Sequence, residues 1–342
     1  MKQRIVFVIV AVMASTMGVL AQTALVATLS HGKDISTYYG SNAFVEAYNA
    51  AEEGDCITLS SGEFEGCAIE KALTIRGAGM DNDEDTQTIA TQLNMYSNSS
   101  IREIAITADS KERLSFENLY FYTGGNHSLV VKGTTKGIEF KKSKFDGINL
   151  YGGVIWFTHC KIRDSIWPMG GTENAYYFRN CIIKFNVSGN YGVGGCHYSN
   201  CVIRSVEKGY SDSFPELRNC IFINTSSVPA NTYHCVALSD VGTASKTYED
   251  LFGNLKNNTN KVASTAEVFK TYTSGTSPSM DQDQYVLTDE AQTKFLGDDG
   301  TQVGIYGGAN PFTTVPSNPR IMNFSVVTND EDGTLKVKLN VK

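Results

Sequence analysis

Between Phe116 and Phe222 a six-residue phrase recurs six times, as FENLYF, FKKSKF, FTHCKI, FRNCII, YSNCVI and LRNCIF. Aligned, its first column is Phe116, Phe140, Phe157, Phe178, Tyr198 and Leu217, and its third is Asn118, Lys142, His159, Asn180, Asn200 and Asn219. The fourth column reads Leu119, Ser143, Cys160, Cys181, Cys201 and Cys220, in steps of 24, 17, 21, 20 and 19 residues, and the sixth reads Phe121, Phe145, Ile162, Ile183, Ile203 and Phe222. A strand-like unit repeating at roughly 20 residues cannot bury its apolar side alone. Stacking the units buries a continuous core, which constrains the chain to a solenoid.

The first and fourth columns both face inward only if the chain turns between them. Asn in the third column suits that corner, because it tolerates the left-handed backbone better than other residues with a β-carbon. Its amide is expected to bond to the Asn one coil above, forming a ladder. After the corner the fourth and sixth columns point in, so Ile182 and Lys184 point out. Cys160, Cys181, Cys201 and Cys220 then stack as unpaired thiols that pack as small apolar side chains. Cys56, Cys67, Cys196 and Cys235 lie outside the column, and their pairing is open.

Lys2 and Arg4, the apolar run Ile5 to Val12 and the small-residue site before Gln22 read as a signal peptide, residues 1–21. Export to the periplasm, medium or cell surface follows. No later stretch supplies the ~20 apolar residues of a membrane helix. Without Lys2 and Arg4 the net charge is about −9, which disfavours a nucleic-acid partner.

Phe44, Ala47, Tyr48 and Ala51 have helical spacing, so residues 22–54 read as an N-terminal cap with a helix over 41–53, started by Ser41 or Asn42. The phrases G-D-x-I-x-L-x-x-G-x-F from Gly54 and L-x-I-x-G-x-G from Leu73 follow. Over residues 54–240 the chain resembles right-handed parallel β-helix proteins of the pectin lyase-like superfamily. The GIYGG phrase at Gly304 to Gly308, with Pro311, Pro319 and the cap, is similar to secreted bacterial β-helix proteins of unassigned activity. The expected fold is all-β: a right-handed parallel β-helix of about nine or ten coils over 55–310, with an irregular excursion around 241–279 and a short helix near Ala266 to Tyr272. A connector over 311–320 and a hairpin over 321–342 follow.

Alternation puts Ser115, Glu139, Trp156, Tyr177, His197 and Glu216 in one outward column, where exposed aromatics can stack on sugar rings and carboxylates can bond hydroxyls. Lys144, Lys161, Arg163, Lys184 and Arg204 form an outward basic stripe suited to an acidic polysaccharide. Glu139, Trp156, Tyr177, His197, Lys161, Arg163, Lys184 and Arg204 are therefore the candidate carbohydrate-binding residues.

The resemblance implies alternatives, a polysaccharide lyase or a glycoside hydrolase, but the hydrolases' N-T-D, D-D, G-H-G and R-I-K set is missing from the coils. No catalytic residue is assigned, and a non-catalytic adhesive surface protein is the third reading. The residue pattern calls for no cofactor and no transition-metal site. Ca²⁺ is the one ion that suits the carboxylates of the Asp81 to Asp85 loop, which departs from an EF-hand at Thr86 and Gln92.

Overall fold

The computed structural model describes residues 25–83, 88–96, 102–105, 112–125, 127–133, 137–169, 174–188, 195–207, 215–226, 228, 231–242, 245–253, 259–317, 321–329 and 334–341. The proposed signal peptide lies outside this set.

The repeat becomes three sheets that the chain visits in rotation. Leu114–Glu117 enters the first sheet, Tyr120–Tyr122 the second and Ser128–Lys132 the third, and Ile138–Lys141 returns to the first. Among the described residues these sheets hold 11, 10 and 4 strands. Beyond the N-terminal hairpin their pairings are parallel, and the long stacks are compatible with a β-helix-like solenoid. Away from the ends of each sheet, a strand bonds to the coil before and the coil after it, so backbone groups are satisfied along the stack.

The phrase columns hold their register. Phe116, Phe140, Phe157, Phe178 and Tyr198 are direct neighbours across strands, their rings stacked with centroids 5.0, 5.1, 4.7 and 4.6 Å apart. Every corner residue has left-handed φ: Asn118 59°, Lys142 45°, His159 56°, Asn180 50°, Asn200 54° and Asn219 55°. His234, φ 52°, makes a seventh corner, and Cys235 after it is fully buried. Cys235 thus extends the cysteine column, a correction to its reading as an outlier. All eight cysteines are free thiols. Cys181 Sγ donates to Arg179 O at 3.2 Å, and Cys201 and Cys220 do the same with the carbonyl two residues back.

The asparagine ladder is replaced by something else. Residues 297–317 run back along the corner column and take four of its side chains, while the Asn118 amide and Asn200 Nδ2 are buried without a hydrogen-bond partner. Asn219 Nδ2 donates to Asp298 Oδ1 at 2.8 Å, and Asn180 Nδ2 donates to Ile305 O at 2.9 Å and Gly307 O at 2.8 Å. His159 Nε2 meets Asn310 O at 2.9 Å, and Lys142 Nζ reaches Val315 O and Ser317 Oγ, each at 2.8 Å. Gly307 explains part of the GIYGG phrase: a β-carbon there would lie 1.8 Å from Gln302 O and 2.5 Å from Asn200 Nδ2. The connector expected over 311–320 is therefore, as far as Ser317, part of this strap, with Phe312 buried.

A second core lies outside the second sheet. Outward-facing Ile182, Val202, Ile221 and Val236 are covered by Val268, Phe269, Tyr285, Leu287, Phe295 and Ile305. The excursion ends in the strand Lys261–Ala263, and the helix expected near Ala266 is the single turn Thr265–Val268, closed by a capping box between Ser264 and Glu267. The N-terminal helix is Ala43–Ala50, shorter than expected at both ends, and Asn42 at its start makes no side-chain cap. It buries Phe44, Ala47 and Tyr48 against the open end of the core. The cap also contains an antiparallel hairpin that residue pattern alone did not indicate, Val26–His31 with Asp34–Tyr39, which adds two strands to the first sheet. The C-terminal hairpin pairs Ile321–Asn329 with Thr334–Val341.

Candidate functional site

The outer face of the first sheet carries the aromatic column in the expected order. Ser115, Glu139, Trp156, Tyr177, His197 and Glu216 are successive cross-strand neighbours. From Glu139 to Glu216 the side chains are half-buried. Period two places a second outward column two residues on, through Lys141, Thr158, Arg179, Ser199 and Arg218.

The rings do not present their faces. Trp156 and Tyr177 are parallel within 11° with centroids 6.2 Å apart, and Tyr177 and His197 within 14° at 4.9 Å. Arg113 places its guanidinium carbon 4.4 Å from the centre of the Trp156 ring. The indole leans over Gly137, where a β-carbon would lie 2.1 Å from Trp156 Cζ3. Stacked from strand to strand, the rings use their faces on each other, while His197 Nδ1 is taken by Glu216 and its Nε2 lies over Gly195, where a β-carbon would be 2.6 Å away. Recognition through an open aromatic platform, as the sequence suggests, does not fit Trp156, which packs against Arg113 and Tyr177.

The column ends in a charged relay. His197 Nδ1 lies 2.8 Å from Glu216 Oε2, Arg218 Nε donates to Glu216 Oε1 at 2.6 Å, and Arg218 Nη1 donates to Asp298 Oδ2 at 3.1 Å. The Arg218 bond, supported by His197, holds the Glu216 carboxyl below its ordinary range, and Glu216 in turn raises Arg218. The amide of Asn219, then Arg218, lowers Asp298. A groove of about 200 Å³ opens here, lined by Tyr177, Arg179, His197, Ser199, Glu216 and Arg218, with Tyr198 at its floor. Arg179 is exposed at its rim. Arg179, Ser199, Arg218 and Asp298 escaped the sequence reading; the two-residue period marks the first three, whereas Asp298 comes from the strap.

The basic set lies elsewhere, on the second sheet, so the eight candidates do not form one site. Lys161 is buried, with Nζ 2.7 Å from Asp81 Oδ2 and 3.2 Å from Gln282 Oε1. Lys144 holds the other Asp81 oxygen at 2.8 Å. Arg163 is paired with Asp146 at 2.9 Å and Asp164 at 3.4 Å. Lys184 and Arg204 are half-buried, and Arg204 Nε has no hydrogen-bond partner. Lys161 is thus tied up beneath the surface and Arg163 is held by two carboxylates, so here the stripe is not a free cationic track.

Asp81 and Asp83 of the loop considered for Ca²⁺ line a cavity of about 390 Å³ together with Lys161, Asp281, Asp283 and Thr314. Asp81 already serves two ammonium groups, and among the described residues no three His, Cys, Asp or Glu side chains converge as metal ligands. Among the described residues no helix is long and apolar enough to cross a membrane. Compared with protein-family models, curated proteins and solved structures, the chain matches none.

Proposed function

We propose that the chain is an exported right-handed parallel β-helix of the pectin lyase-like type that binds an acidic polysaccharide along the outer face of its first sheet. The observation that carries this reading is the groove at Tyr177, Arg179, His197, Ser199, Glu216 and Arg218, where an exposed guanidinium stands beside hydroxyl and imidazole side chains. Guanidinium groups match the carboxylates of uronate polymers. The in-register columns extend such a surface over successive coils, which suits a repeating ligand. Lys184 and Arg204 on the second sheet fall outside this track.

Affinity electrophoresis of the mature chain in polygalacturonate against neutral glucan tests the reading. Wild type should be retarded by the acidic polymer alone, and Arg179→Ala should lose most of the retardation. Equal mobility in both gels, or full retardation of Arg179→Ala, overturns it. One observation favours a second reading, a polysaccharide-cleaving enzyme: His197 is oriented by Glu216 in the manner of a general base. Release of reducing ends or unsaturated uronate, lost in His197→Ala, distinguishes it from binding alone.

A further inference from the structure

Among the described residues the N-terminal hairpin leaves Asp34–Tyr39 as the edge of the 11-stranded sheet, and this edge carries an unusual pair of side chains. Ile35 and Tyr39 are 70% and 69% exposed, more than any other large apolar residue described. Exposed apolar side chains on an edge strand invite pairing with another strand, and proteins ordinarily blunt such edges with lysine or proline. Asp34–Tyr39, DISTYY, has neither.

Its backbone is open in a defined pattern. Gly40 N–H donates to Leu25 O at 2.9 Å, and Gly40 and Leu25 continue the register that pairs Tyr39 with Val26. In an antiparallel ladder hydrogen-bonded and non-bonded pairs alternate. Tyr38, Ser36 and Asp34 therefore direct their N–H and C=O groups to the inner strand, and Ile35, Thr37 and Tyr39 direct theirs to the free edge.

We infer that this edge pairs with the same strand of a second copy, across a two-fold axis perpendicular to the sheet and through Thr37. Such an axis keeps each face of the sheet on its own side, so only residues of one face meet. Thr37 then meets Thr37 of the other copy, and Ile35 meets Tyr39 twice. The three residues with free backbone groups are the three that become bonded, and the two exposed apolar side chains cover each other. Asp34, the charge within the strand, falls opposite Gly40, so no like charges are opposed. A six-residue seam is small beside the ~1,200–2,000 Å² of a stable interface, so the dimer forms in proportion to concentration.

The seam also sets an orientation. Ile35 belongs to the outward column that continues through Ser30, Cys56 and Thr74 to Ser115 and the aromatic residues. The dimer therefore carries both outer faces on one side of a single sheet. On the binding reading proposed above, it offers a polymer two collinear tracks.

Sedimentation velocity of the mature chain from ~5 µM to ~1 mM tests the dimer by mass, independently of any glycan. Wild type should move from the mass of one chain towards that of two. Ile35→Lys and Thr37→Pro should stay at one chain with unchanged circular dichroism, because Thr37 N–H is not used within the hairpin. A wild type that remains monomeric throughout overturns the proposal, as does equal self-association of both folded variants. Failure of glycan binding with an intact dimer would count only against the binding reading.

Discussion

Asn219 and Asp298, 79 residues apart, clasp each other reciprocally: the Asn219 amide donates to the Asp298 carboxylate at 2.8 Å, and the Asp298 backbone N–H donates to Asn219 Oδ1 at 3.1 Å. One side chain thus closes a left-handed corner and anchors the returning strap. Asp298→Ala removes the carboxylate from both Asn219 and Arg218 and should speed proteolytic cleavage within residues 297–317 while leaving the far-ultraviolet circular dichroism of the sheets unchanged.

Asn180 separates the two roles of a corner. Its φ of 50° costs an alanine about 1–2 kcal/mol, and loss of its amide leaves Ile305 O and Gly307 O without that donor. Asn180→Gly should recover the backbone part alone. Urea denaturation is expected to rank wild type above Asn180→Gly and Asn180→Gly above Asn180→Ala, with Asn180→Ala destabilised by about 2–4 kcal/mol.

The strap should also loosen in acid. Asp298 and Glu216 are lowered in the fold, so each binds its proton less readily than in the unfolded chain. Their contribution is complete above the unfolded carboxylate range, about pH 4–5, and is lost as pH falls through the lowered folded values. His159, lowered chiefly by burial, acts in the same direction, with stability declining as pH drops below its ordinary value. Denaturation midpoints measured from pH 7 to pH 3 should fall less steeply for Asp298→Asn than for wild type.

Lys161 sits buried against a carboxylate that it shares with Lys144. Removing one member of a buried pair costs about 3–5 kcal/mol because the other charge is stranded. Asp81→Ala strands two ammonium groups where Lys161→Ala leaves Asp81 one, so thermal denaturation should show Asp81→Ala as the more destabilised.

The thiols should divide by position. Cys160, Cys181, Cys196, Cys201, Cys220 and Cys235 are buried, whereas Cys56 and Cys67 are only partly so. Burial pushes Cys67 up to about 12. Reactivity follows the thiolate, so a thiol reagent on the native protein should label Cys56 first, and mass spectrometry should find the buried six only after denaturation. In the same column Cys201→Leu should cost about 1–3 kcal/mol by overpacking.

The interior was legible because each phrase states its own inward and outward positions. Phe178, Asn180, Cys181 and Ile183 sit where alternation and corner chemistry put them. His234 and Cys235 escaped because Thr232 and Ala237 stand where the other phrases carry large apolar residues, although the corner itself is the same. The strap was illegible for a different reason. Its contacts join Asn180 to Ile305 and Lys142 to Val315, and residue period carries no information about a segment lying across the repeats. The aromatic column was read correctly in position, while the direction its rings face was set by neighbours, Arg113 and Gly137, that no local pattern associates with Trp156.

A stack of repeats with only nearest-neighbour interfaces can open from either end one unit at a time. Here residues 297–317 are fastened to the corners at Lys142, His159, Asn180 and Asn219. A coil in the middle of the stack cannot loosen without also releasing a segment that holds its neighbours. The strap therefore acts as a zip-tie along a pile of rings, converting a ladder that would unravel stepwise into one that yields as a block.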